Sequence, residues 1–260
     1  RLFEVTGVQT CALPILHIAI VGGKRVRIRL ADDLREERSH SVSLSADLYH
    51  TFGKVQTNLL VEGFYTILDD VFALRDMDDA ADGGKVKERY NGSGATVRGF
   101  NVEGRAAFTR WFELQAGVTL QQSRYKEPEF WSEDAEVPPV RRMFRTPDTY
   151  GYFTASFKPV RNFTADLSGT CTGSMLVQHM AGSGVAQDVA VSTPSFFDMN
   201  IRLSYDVRIY KEITMQLYGG VQNLFNAYQK DFDKGVDRDS GYIYGPSLPR
   251  SWFVGAKFSF

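Results

Sequence analysis

The chain has little of what marks several large protein classes. Its 260 residues include only two cysteines, Cys11 and Cys171, too few for a disulfide framework and unsuited to a thiolate metal site. No run reaches the roughly 18 to 20 consecutive apolar residues that a membrane-spanning helix needs, and the best candidate, Ala12 to Val21, has about half that length. Thirty basic residues against 31 acidic ones give a net charge of -1, so there is no basic stripe able to displace counterions from a nucleic acid. The four histidines, His17, His40, His50 and His179, show neither the i, i+4 pairing nor the neighbouring carboxylates of a zinc centre. Gly92, Ser93 and Gly94 lack the Lys and the following helix of a phosphate-cradling loop. No Ser, His and acid arrangement marks a nucleophile, so no catalytic residue, cofactor or metal site is expected.

What is present is alternation. From Phe197 to Arg208, apolar Phe197, Met199, Ile201, Leu203, Tyr205 and Val207 take turns with polar Asp198, Asn200, Arg202, Ser204, Asp206 and Arg208. A helix would smear those charges around its circumference, whereas a strand gathers them on one side. The last ten residues repeat the pattern: Trp252, Val254, Ala256, Phe258 and Phe260 share one face, and Gly255, Lys257 and Ser259 the other. Equivalent apolar faces begin at Val42, Val55, Phe100, Phe112, Phe163 and Ile213, and none carries a charge. Their opposite faces hold Asp47, Glu62, Glu103, Arg105, Glu113 and Asp166, the division expected between lipid and a wet lumen. A secreted β-sandwich would also alternate, but its strands are usually about 5 to 6 residues long. Val55 to Ile67 and Phe163 to Gly173 reach the roughly 9 to 11 residues that cross a bilayer obliquely.

Connections add a second regularity, because short and long ones take turns. Tight ones fall near Phe52 to Lys54, at Arg110 and Trp111, from Pro159 to Arg161 and from Ile209 to Lys211; long ones run from about Asp76 to Ser93, Lys126 to Asp148, Gln178 to Pro194 and Phe225 to Pro249. Outer-membrane barrels have short periplasmic turns and longer outside loops, which predicts the sidedness. Aromatics beside the tight turns, such as Tyr49, Phe52, Trp111, Phe112, Phe157, Phe163 and Tyr210, read as an interfacial girdle. About nine antiparallel strands follow Arg38, and Leu16 to Leu34 is assigned to an outside loop or a preceding strand.

Asn223 to Asn226 (NLFN), a polar loop, Tyr242 to Ser251 (YIYGPSLPRS) and a terminal strand ending on Phe260 occur in that order. Together with Arg38 to Phe72 they resemble the TonB-dependent outer-membrane receptors, in a form common in Bacteroides-type bacteria. The resemblance implies an all-β chain forming the C-terminal portion of a transmembrane β-barrel of roughly 22 strands, without the plug domain. It places Trp252, Phe258 and Phe260 in the C-terminal signal read by the barrel assembly machinery. Val5 to Ile15 (VTGVQTCALPI) looks like a translated sequencing adapter, so residues 1–15 are expected to be non-native and 16–260 a partial receptor barrel. The parent would sit in the outer membrane of a Gram-negative bacterium. There it would import a scarce nutrient, an iron chelate, corrinoid or similar, with energy from the TonB complex. A surface adhesin barrel or a passive porin is the alternative. Trp131, with Arg141 and Arg142 in the aromatic and charged stretch Lys126 to Asp148, is a candidate to stack on a ligand and meet its anionic groups. His179 and Met180 are candidate soft donors to a metal-loaded ligand.

Overall fold

The computed structural model describes residues 8–10, 18–21, 24–77, 85–210 and 213–259, with side chains from residue 27 onward except those of Asp76 and Lys85. Among these residues there are strands and no helix. In chain order they are β1 (Val8–Thr10), β2 (Ile18–Val21), β3 (Lys24–Leu30), β4 (Arg38–Phe52), β5 (Val55–Asp69), β6 (Phe72–Met77), β7 (Lys85–Asn91), β8 (Ala95–Thr109) and β9 (Phe112–Glu129). They continue with β10 (Val140–Arg142), β11 (Thr149–Phe157), β12 (Phe163–Thr172), β13 (Leu176–His179), β14 (Val189–Ser192), β15 (Phe196–Tyr210), β16 (Ile213–Gln222) and β17 (Ser251–Ser259).

Nine long strands make the wall in the order β4-β5-β8-β9-β11-β12-β15-β16-β17, each antiparallel to the next, with β1 added beyond β4 and β10 pairing β9. The sheet does not close: β17 has β16 on one side and no strand on the other among the described residues. Register keeps the apolar faces together across the wall. Leu48 faces Leu59, Leu59 faces Gly104, and Gly104 faces Ala116. The row continues from Ala116 through Phe153 and Gly169 to Met199. Farther along, Leu203 faces Gly219 and Gly219 faces Val254. Opposed residues of an antiparallel pair point to one side, so these rows form one continuous apolar surface. It is open: Val254 is 90% exposed, Trp252 78% and Phe100 64%. The eight steps from Phe108 to Phe100 on β8 cover about 26 Å of strand, or about 20 Å along the normal at a tilt near 40°, most of the height of a barrel's lipid band.

The other face is wet and laced with hydrogen bonds. Tyr152 donates to Glu103 at 2.5 Å, and Gln115 donates to the other Glu103 oxygen at 2.9 Å. Asp166 stands opposite Arg202 and accepts from Ser156 at 2.6 Å. Gln216 links Arg202 to Asp206, and Arg202 lies 4.5 Å over the Tyr218 ring. At the tight-turn end, Phe108, Trp111, Phe112 and Phe157 pack with ring centroids 5.2 to 6.5 Å apart, and His50 edges onto Phe52 at 4.2 Å.

The long connections are more structured than alternation alone predicts. β9 runs on past Tyr125 to Glu129, and β10 pairs back on it, so only part of Lys126 to Asp148 is loop. β13 and β14 form a hairpin between β12 and β15. The stretch from Leu16 to Leu34 holds β2 and β3, which join β7 and β6 in a separate four-stranded sheet through a parallel β3–β7 pairing. Most of Val5 to Ile15, together with Lys211 and Phe260, lies outside the described residues, as does His17. Of the 5–15 segment, Val8–Thr10 pairs with Arg38–His40.

Candidate functional site

At the end of the wall away from the tight turns, the connection between β16 and β17 closes on two asparagines. Asn223 and Asn226 both adopt the left-handed conformation, at φ of 49° and 53°, which asparagine tolerates better than most residues. Asn223 is 2% exposed; its Nδ2 donates to the carbonyls of Ala227 and Leu248, and its Oδ1 accepts from the Ala227 amide at 2.7 Å. Asn226 accepts from the Arg250 amide at 2.9 Å. The two asparagines of Asn-Leu-Phe-Asn therefore clamp both ends of the β16–β17 connection.

Inside that connection the aromatic stretch before β17 folds onto β13 and β15. Val177, Phe196, Tyr242 and Tyr244 form a small buried cluster. Gln229, 1% exposed, accepts from the Tyr244 amide and donates to the Tyr242 carbonyl. Both tyrosine hydroxyls donate to Asp231, at 2.6 and 2.5 Å. Burial and this bond push Tyr244 up to about 12 and Tyr242 higher still. Burial alone would raise Asp231, but hydrogen bonds led by the two hydroxyl donors, with a backbone amide and Gln229, together hold the carboxyl below its ordinary range. Gly245, at φ 86°, lies where a Cβ would meet the Phe196 ring at 2.8 Å, so the glycine here answers both a conformation and a contact.

His179 belongs to the same network. It is 6% exposed, stacks on Tyr242 with centroids 3.7 Å apart, and bonds Asp233 through Nε2 at 3.0 Å. Burial would raise the Asp233 carboxyl, but the Asp239 amide and His179 hold it low. His179 does not line the adjoining cavity, whereas Met180 does, and the Met180 amide donates to Asp239 at 2.8 Å.

That cavity, about 950 Å³, lies between these connections and the four-stranded sheet. Tyr125, Phe130, Trp131, Phe144 and Met180 give it an aromatic and apolar side. Trp131 meets Phe144 edge-on at 5.4 Å, and its indole N–H is buried without a hydrogen-bond partner. Of the sequence-predicted residues, Trp131 and Met180 line the cavity; Arg141, Arg142 and His179 do not. Arg141 approaches Glu127 at 3.9 Å, and Arg142 bridges Asp148 at 3.1 Å and the Ser174 carbonyl at 2.7 Å. Among the described residues, no group of three or more His, Cys, Asp or Glu could hold a metal ion. Asp231, Asp233 and Gln229 escape sequence reasoning because no periodicity marks their pairing, and the Asp233–His179 contact also spans 54 residues.

An open antiparallel sheet with one continuous apolar face and one hydrogen-bonded polar face is a section of transmembrane β-barrel wall. Residues 18–224 match the family described as TonB dependent receptor-like, beta-barrel, and the chain belongs to that family. No curated protein matches it. Among solved structures it is similar to the ferric-catecholate import receptor Fiu of Escherichia coli K12, with a TM-score of 0.59, 17% identity, and 96% of this chain and 31% of that one covered. A mutant of the ferric enterobactin receptor PfeA of Pseudomonas aeruginosa, in complex with enterobactin, gives 0.62 and 14%, covering 98% and 38%. The copper transporter OprC gives 0.59 and 13%, covering 88% and 32%. The chain thus spans about a third of the length of these structures.

Proposed function

We propose that this chain is the C-terminal part of the barrel wall of an outer-membrane receptor that binds a scarce nutrient at the cell surface and imports it with energy from the TonB complex. The nutrient class is an iron chelate, a corrinoid or a similar metal-bearing compound, in keeping with the iron and copper receptors it resembles in fold. The observation that carries this reading is the pairing of a continuous apolar face with a preformed cavity at the long-connection end of the wall. A plug domain, TonB and the barrel assembly machinery would be partners of the whole protein, with residues 16–260 as its wall and Trp252, Phe258 and Phe260 as the assembly signal. The long connections would then face outside, and the cavity would meet ligand before the lumen does.

Two measurements test the proposal together. One uninterrupted read of the genome upstream of Leu16 should find a plug domain and an export signal in frame. Deleting the locus should abolish uptake of one metal-bearing nutrient, and deleting TonB should do the same. A native start near Leu16, or uptake indifferent to TonB, would favour a porin or adhesin instead.

A further inference from the structure

The cavity walls carry an excess of acid. Glu129, Glu133, Asp134, Asp188, Asp237 and Asp239 line it, six carboxylates against three cations, Lys87, Arg145 and Arg238. Arg145 donates Nη1 to the Ile243 carbonyl at 2.9 Å and Nη2 to that of Gly241, and Arg238 donates to the Gly235 carbonyl at 3.0 Å; bonds to neutral carbonyls fix these side chains but leave their charge, so the lining carries a net excess of three negative charges, six less three. Asp237 is exposed and lines the cavity. Burial pushes the Glu129 carboxyl above its ordinary range, with a Tyr90 hydrogen bond opposing, so a cation beside it would replace lost water. Arg141 and Arg142, the residues placed to meet an anion by sequence alone, are paired with Glu127 and Asp148 outside the cavity. Phe130, 72% exposed, and the Trp131–Phe144 pair offer surfaces on which a cation or an apolar ligand backbone can rest.

We infer that the cavity selects its ligand by charge: it takes a compact metal chelate that is net positive and disfavours the net negative form of the same chelate. Its volume of about 950 Å³ lies at the upper end of the range for small-molecule sites. This selectivity presupposes that the cavity is the ligand site, as proposed above.

The test uses the receptor assembled in outer membranes from its own locus and three ferric trihydroxamates that share one backbone. Ferrioxamine B carries a protonated amine; its N-acetyl form is neutral and its N-succinyl form is negative. Binding of the radio-iron chelates at low salt should rank positive, neutral, negative, with the extremes at least about tenfold apart, as expected for opposite charges near a partly desolvated acidic wall. In Asp134→Asn/Asp237→Asn that ratio should shrink at least about threefold, while Thr154→Asn on the wall leaves it unchanged. Equal binding of the three, the reverse order, or an unchanged ratio in the double variant overturns the selectivity. If none of the three binds while TonB-dependent uptake through the locus persists, the chelate selectivity falls and the receptor reading stands. If both are absent, the receptor reading falls with it.

Discussion

Leu203 occupies the middle of β15, with seven residues of the strand on either side, and faces Ala165 and Gly219, two small neighbours that leave it 44% exposed. By its position it sits near the centre of the lipid band, where an arginine costs about 2 to 4 kcal/mol, falling to about 0 to 1 near the interfaces. Thr154 is the matched control: it lies mid-strand on β11, on the wet face between Gln115 and Ser168, and is exposed. Leu203→Arg should therefore lower the folded-to-unfolded ratio by about 30-fold to 700-fold at about 1.4 kcal/mol per tenfold, whereas Thr154→Arg should stay within about 0.5 kcal/mol. Met199→Asp, some four residues nearer the loop end, should fall between them. The assay is urea-driven unfolding of the assembled receptor in lipid vesicles, followed by the mobility shift of the intact barrel on heating. Equal losses for Leu203→Arg and Thr154→Arg would mean that the two faces have been assigned wrongly or that no lipid contacts this wall.

Three further outcomes are expected. Gly245→Ala forces a methyl against Phe196 at a backbone angle that L-residues seldom adopt, so it should cost about 1 to 3 kcal/mol of local stability; unchanged protease resistance of residues 223–250 would contradict this. Asp231 and Asp233 are held below the ordinary carboxyl range, so their contribution is present above the unfolded value, about 3.9, and is lost as pH falls through the lower folded values. Hydrogen exchange in residues 229–244, corrected for intrinsic rates, should then stay flat from neutral pH to about 5 and rise below about 4; a rise already centred near neutral would contradict this. Finally, residues 16–260 expressed alone should aggregate, because among the described residues the outer edge of β17 and most of that of β4 are unpaired beside a broad apolar face; a soluble monomer melting cooperatively would count against that.

The wall was legible because period-2 alternation survives wherever one face meets lipid and the other water, as in Phe197 to Val207 and Trp252 to Phe258. It was less legible where that contrast ends. Beyond Tyr125 the strand carries Lys126, Glu127 and Glu129, charged on both faces because neither meets lipid, so β9 ran on unrecognised. The short strands β10, β13 and β14 have three or four residues each, too few for periodicity to register. The cavity was half visible. Trp131 stood out by its aromatic surroundings, but the pairing of His179 with Asp233, across 54 residues, depends on how the loops pack. The Asn-Leu-Phe-Asn motif was recognised by resemblance, and only its geometry gives the reason: two left-handed asparagines closing one loop.

The nine long strands pair in the order in which they occur along the chain, with β6, β7, β10, β13 and β14 set into the connections between them. Such a sheet behaves like a one-dimensional stack, in which each hairpin takes its register from its two neighbours and from nothing farther away. Insertions in the long connections can then accumulate without shifting a single pair in the lipid band, leaving the ligand-facing end free to diverge while the wall stays fixed. The parallel β3–β7 pairing is the exception, bridging some 59 residues around the β4–β5 hairpin, so that small sheet should be the last part of the chain to register and the first to open.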